Sequence, residues 1–100
     1  MKPCTIIGTV VAKNETREEL RRILAAQVAP TRAEAACINY DFHVSEDDPN
    51  VFVFYENWRS KADLDAHLKT PHLRRCLGGS TNFARPVEIT FYEMLSEQAP

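Results

Sequence analysis

Two segments of this chain are apolar on both of their alternating faces, and few folds accommodate that. In Thr5 to Lys13 one parity carries Ile6 and Val10 and the other Ile7 and Val11; in Val51 to Trp58 one carries Phe52, Phe54 and Trp58 and the other Val51, Val53 and Tyr55. Successive side chains of a strand point to opposite sides of its sheet, so both segments are expected to be central strands covered above and below. Cys37 to Ser45 instead alternates Ile38, Tyr40, Phe42 and Val44 against Asn39, Asp41 and His43, the pattern of a half-buried strand. The intervening Glu46-Asp-Asp-Pro-Asn50 is turn chemistry, which makes a hairpin of this strand and Val51–Trp58.

Helical signals fill the remaining gaps. Thr16-x-x-Glu19 reads as a capping box ahead of a stripe of Leu20, Ile23, Leu24, Gln27 and Val28, and Pro30 is expected to stop that helix. Ser60 is placed to cap a second helix with Asp63 in its first turn, where the helix dipole favours a carboxylate. That helix should break near Thr70-Pro71 and resume through Leu73 to Leu77; Gly78-Gly79-Ser80 then opens a loop to Pro86, expected to help close the site, before a last strand from Val87 to Leu95. The order β-α-β-β-α-β predicts one α+β domain, a ferredoxin-like four-stranded antiparallel sheet in spatial order 4-1-3-2 with both helices on one face. Two helices cover only one side of the sheet. The apolar residues of the other side call for a second cover, most simply the sheet of a second subunit, and a face-to-face homodimer is expected.

Composition excludes several classes of partner. A formal charge of −2 over 100 residues, with no basic stripe, leaves no footprint for nucleic acid. The chain enters its first strand without a signal peptide's apolar core and contains no apolar run long enough to cross a bilayer, so a cytoplasmic protein without a membrane partner is expected. Cys4, Cys37 and Cys76 are widely separated and form no C-x-x-C, which reads as three reduced, small apolar side chains.

One stretch places a candidate site. From a start at Ser60, Leu64, His67 and Leu68 fall on one helix face, so the His67 imidazole turns inward with two leucines, beneath the Trp58 at the end of the preceding strand. A polar spot inside an aromatic and aliphatic space suits an enclosed small-molecule site. Tyr40, Phe42 and Phe54 would line its wall if their faces point to the helices, and His72 would supply a second polar group. His43 lies on the polar parity of its strand and is assigned no role. A metal site from His67, His72 and Asp63 is not expected, because a five-residue spacing puts the two imidazoles on different helix faces and no carboxylate obviously joins them.

Taken together, Cys37-Ile-Asn-Tyr-Asp-Phe, Asp48-Pro-Asn, Phe54-Tyr-Glu-Asn-Trp58, Leu64-Asp-Ala-His67 and Thr70-Pro-His72 resemble the antibiotic biosynthesis monooxygenase superfamily of dimeric α+β barrels, especially its small quinol monooxygenase-like members. The resemblance implies a cofactor-free oxygenase: a base removes a phenolic or enolic proton, and the electron-rich anion passes an electron to dioxygen. His67 is the candidate base, since imidazole titrates nearest neutrality, with Trp58 orienting the substrate ring and Tyr40, Phe42, Phe54 and His72 binding it. No cofactor or metal is implied. Haem-degrading relatives add an Asn in the first strand, where this chain has Ile7-Gly8-Thr9, and relatives acting on anthrone-type polycycles carry an Asn where it has Phe54. Isomerases of a bacterial signalling sugar share the spacing of His67-Leu-Lys-Thr-Pro-His72 followed by Cys76. The sequence thus leaves three functions open: oxygenation of a small hydroxylated aromatic or quinol, proton-transfer isomerisation of a small carbonyl metabolite, and binding without turnover.

Overall fold

The two doubly apolar segments are the inner strands of a four-stranded antiparallel sheet. The computed structural model describes residues 3–78 and 82–97. In chain order these form β1 (Cys4–Val11), a 3-10 turn (Asn14–Thr16), α1 (Arg17–Ala25), α2 (Val28–Arg32), β2 (Cys37–Val44), β3 (Val51–Trp58), α3 (Lys61–Leu68), α4 (Pro71–Gly78) and β4 (Glu88–Glu93). The strand order is β2-β3-β1-β4, the expected ferredoxin-like arrangement. Gly79 and Ser80, placed by the sequence in a loop, lie outside the described residues.

Register decides which parity meets the helices. Opposite β1, Phe52 pairs with Val10, Phe54 with Gly8, Glu56 with Ile6 and Trp58 with Cys4, and these side chains share the helix-covered face. Leu20 and Leu24 of α1, Leu64 of α3 and Cys76 of α4 complete the core against them. Burial of each large apolar side chain contributes about 1.5–3 kcal/mol, so this layer supplies most of the drive to fold. On the opposite face Ile7, Val11, Val51 and Val53 are half-buried and Tyr55 is exposed, and among the described residues none of them belongs to the core packed beneath the helices. A polar ladder crosses one end of that face: the Thr5 hydroxyl donates to Asn57, Asn57 donates to Asn39 (2.8 Å), and Asn39 donates to Asp41 (3.1 Å).

Three local expectations are corrected. The capping box at Thr16 is not made, because the 3-10 turn runs straight into α1 and holds Thr16 near φ −119°, ψ 13°, away from the extended backbone a capping hydroxyl needs; its Oγ1 is buried without a partner. Pro30 does not stop the first helix. The chain leaves α1 at Ala26 and re-enters a short helix in which Pro30 is the third residue, where its missing N–H has no intrahelical partner to lose. Finally, a bulge between Cys37 and Asn39 turns Ile38 out of the Tyr40 and Phe42 parity and leaves it 47% exposed.

Candidate functional site

The second half of the chain builds the site as its capping signals suggest. Ser60 takes an extended conformation and its Oγ accepts from the Asp63 amide (3.2 Å), while Arg59 donates to both Asp63 oxygens at 3.1 and 3.2 Å. That start puts Leu64 and His67 on the buried face of α3. His67 is 1% exposed and lies against the Trp58 indole, ring centroids 4.4 Å apart at 30°.

Two carboxyl groups that the sequence reading passed over complete the arrangement. Glu34, in the segment between α2 and β2, accepts from His67 Nδ1 at 2.9 Å. That bond fixes the tautomer: with Nδ1–H spent on a carboxylate, the nitrogen left for a ligand is an unprotonated Nε2. Burial holds the His67 pKa below its ordinary value, with the nearby Glu34 carboxylate partly offsetting this, so the imidazole is neutral at pH 7. Glu56 projects from β3 on the same inward parity as Phe54 and Trp58, is 6% exposed, and accepts from Trp58 Nε1–H at 2.9 Å. Burial pushes its carboxyl up to about 7, against the pull of the indole hydrogen bond and with help from the Glu34 charge. Glu56 had a signal in the sequence, an acid at an apolar parity between two aromatics; Glu34 had none, since its contact spans 33 residues.

His67 and Glu56 border one cavity of about 40 Å³, which Tyr40, Phe54, Cys76 and Ile89 help to line. Ile89, 38% exposed on the edge strand, marks its mouth. Tyr40 packs edge-on to His67 at 5.8 Å, and its phenol is kept protonated, first by burial and then by the Glu56 charge. Burial also pushes the Cys76 thiol up to about 11, so it meets the cavity uncharged. The other residues singled out from the sequence stand back from this space. Trp58 is fully buried and forms a platform with His67 on its face and Glu56 at its N–H edge. Phe42 stacks on Phe52 and Phe54 at 5.5 and 4.8 Å, one layer away. His72 is half-buried, with Nδ1 2.8 Å from Gln27 Oε1 and Nε2 3.3 Å from Glu34 Oε2.

His67 and His72 do not diverge as their five-residue spacing predicts, and a carboxylate does join them. The break after Leu68 re-aims α4, so the two imidazoles lie 5.8 Å apart and converge on Glu34 rather than on Asp63. One donor atom from each of Glu34, His67 and His72 lies within 4.8 Å of the others. Each is hydrogen-bonded within or beside this group.

Residues 3–78 match the family described as antibiotic biosynthesis monooxygenase. The chain belongs to that family. Its backbone superposes on PA3566 from Pseudomonas aeruginosa with a TM-score of 0.89 at 38% identity, covering 96% of this chain and 97% of that one. Against Rv0793 from Mycobacterium tuberculosis, provisionally named a monooxygenase, the TM-score is 0.90 at 33% identity, over 97% and 99% of the two chains. A further relative, sll1783 of Synechocystis, is 33% identical over 97 residues, which span 96% of this chain but 66% of that protein. Membership of the monooxygenase family supports a monooxygenase-like role on a small molecule. No helix among the described residues is long and apolar enough to cross a membrane.

Proposed function

We propose that the protein is a cofactor-independent monooxygenase of a small hydroxylated aromatic, a quinol, working as a homodimer in the cytoplasm. The observation that carries this reading is the pinned imidazole: His67 is buried and neutral, its Nδ1 is held by Glu34, and it borders the cavity. Nε2 then accepts the proton of one quinol hydroxyl. The resulting anion passes electrons to dioxygen; one oxygen atom enters the ring as a hydroxyl, the other leaves as water, and the quinol ends as a hydroxyquinone. A well-placed general base contributes roughly 10²–10⁴-fold, and the mostly apolar wall strengthens its effect by excluding water. Tyr40 and Phe54 supply aromatic surface against the ring, while Phe42 and Trp58 hold those walls in place. The cavity of about 40 Å³ holds about three waters and is smaller than an aromatic ring, so a quinol enters only as its wall yields. The dimer rests on the uncovered face carrying Ile7, Val53 and Tyr55.

The test is oxygen uptake by purified protein with a panel of small quinols, set against autoxidation blanks, with and without EDTA. Uptake above the blank that survives EDTA and vanishes in His67→Ala supports the proposal. Substrate loss under anaerobic conditions would replace it with the isomerase, and saturable binding of unchanged ligand would replace it with a binding module.

A further inference from the structure

The Glu56 carboxyl is a buried ionisable group for which the proton-abstraction step has no use. It stands on the sheet side of the cavity, with Ile6 across one strand partner and Tyr40 across the other, and among the described residues its hydrogen-bond donor is the Trp58 indole, at Oε1. No ion pair serves it among the described residues. The charged group nearest in effect is Glu34, of like sign. A carboxylate in such a place is costly, whereas a carboxylic acid is not, and an acid with one oxygen already occupied by a donor has its own O–H to offer. His67, across the Trp58 indole, is neutral and offers a lone pair.

We propose that Glu56 meets the substrate as a neutral acid and donates a hydrogen bond to a second oxygen of the ring, so that the cavity selects aromatics carrying two oxygen functions over monophenols. This rests on the reading of His67 as the base. As the ring is oxidised, the second oxygen gains carbonyl character and becomes a better acceptor, so the Glu56 bond is stronger in the product-like state than in the ground state and contributes to rate as well as binding. No further co-reactant is required: Glu56 keeps its own proton, the two quinol hydroxyl protons leave in the water formed from the second oxygen atom, and dioxygen remains the oxidant.

The other ionisable groups facing Glu56 do not confuse its titration. Cys4 on β1, Cys37 and Tyr40 on β2 and Cys76 on α4 are all held protonated through neutral pH by burial, which leaves His67 and Glu34 as its partners in that window. The experiment compares wild type, Glu56→Gln and Glu56→Leu, using hydroquinone and phenol as probes in two assays. Anaerobic titration followed by fluorescence of Trp58, the single tryptophan, reads binding without turnover; aerobic oxygen uptake against pH reads kcat/KM. Wild type should bind hydroquinone about tenfold or more tighter than phenol and lose activity as pH rises through neutrality. Glu56→Gln, which keeps a donor but cannot ionise, should keep the preference and lose the alkaline limb, whereas Glu56→Leu should lose the preference. Loss of activity in Glu56→Gln as deep as in Glu56→Leu would make Glu56 a base and overturn the proposal, as would an unchanged preference in Glu56→Leu. If oxygen uptake fails in every protein while the anaerobic preference holds, the oxygenase reading falls and the Glu56 assignment stands.

Discussion

Burial of Glu56 predicts a pH dependence of stability whose sign and size can be worked out. In the unfolded chain its carboxyl titrates near 4.5; in the folded protein it titrates at about 7. The folded state therefore binds the proton more tightly. That stabilisation is fully present below about pH 4.5, declines as pH rises through the interval, and is lost above about 7. The difference of about 2.5 pH units corresponds to about 3 kcal/mol, of the order of half the stability of a marginal domain. His67 works in the opposite direction, since its folded pKa is depressed and its protonation destabilises the fold as pH falls below about 6.5. The two are separated by comparing wild type with Glu56→Gln, because His67 is common to both. Urea unfolding at fixed protein concentration from pH 4.5 to 8.5 should show the Gln variant gaining about 3 kcal/mol on wild type across that range, with most of the change between pH 5 and 7. Parallel curves would mean that Glu56 is ionised in the fold at neutral pH, and the acid assigned to the cavity would go with it.

His67→Ala should reduce oxygen uptake by roughly 10²–10⁴-fold without dissociating the dimer, as read by an oxygen electrode and sedimentation velocity. Glu34→Gln removes the charge that favours the imidazolium but keeps an acceptor for Nδ1–H; kcat should fall about 5–30-fold, and the acid limb of the pH–rate profile should move to lower pH, because the Glu34 charge now raises the His67 pKa. Val53→Lys with Tyr55→Lys, on the uncovered sheet face, should yield an 11.4 kDa species in sedimentation equilibrium at micromolar protein, where the wild-type chain should sediment as the proposed dimer.

Most of the fold was legible because it rests on local rules. The doubly apolar parities marked the inner strands, and Ser60 with Asp63 set the phase of α3 that turns His67 inward. Where the reading failed, a neighbouring structure had changed the local geometry. The 3-10 turn before α1 removed the backbone conformation a Thr16 cap requires, and a bulge shifted the parity at Ile38. The site was legible by halves. His67 could be placed from helix phase alone. Its partner Glu34 sits in a polar connection whose path depends on α2, and His72 reaches the same carboxylate only because the helix breaks between Leu68 and Pro71. Contacts of that kind join separate elements and leave no spacing to read.

Trp58 ends β3 where the sequence put it, but its contacts differ from those the sequence suggested. The sequence put it over the substrate; the structure buries it completely, with the imidazole on its face and the carboxyl at its N–H. Those two contacts can be separated. Trp58→Phe keeps a ring for His67 to lie against but deletes the only hydrogen bond among the described residues that favours ionised Glu56. The Glu56 pKa should therefore rise, moving the alkaline limb of the pH–rate profile to higher pH and widening the active range, while the acid limb set by His67 stays close to its wild-type position. Loss of the smaller ring's packing should cost stability as well, so the comparison is made on the profile's shape rather than on the maximal rate. A shift of both limbs together would point to general disorder of the cavity; a shift of the alkaline limb to lower pH would contradict the hydrogen-bond argument itself, since removing a donor from a carboxylate can only make that carboxylate harder to form.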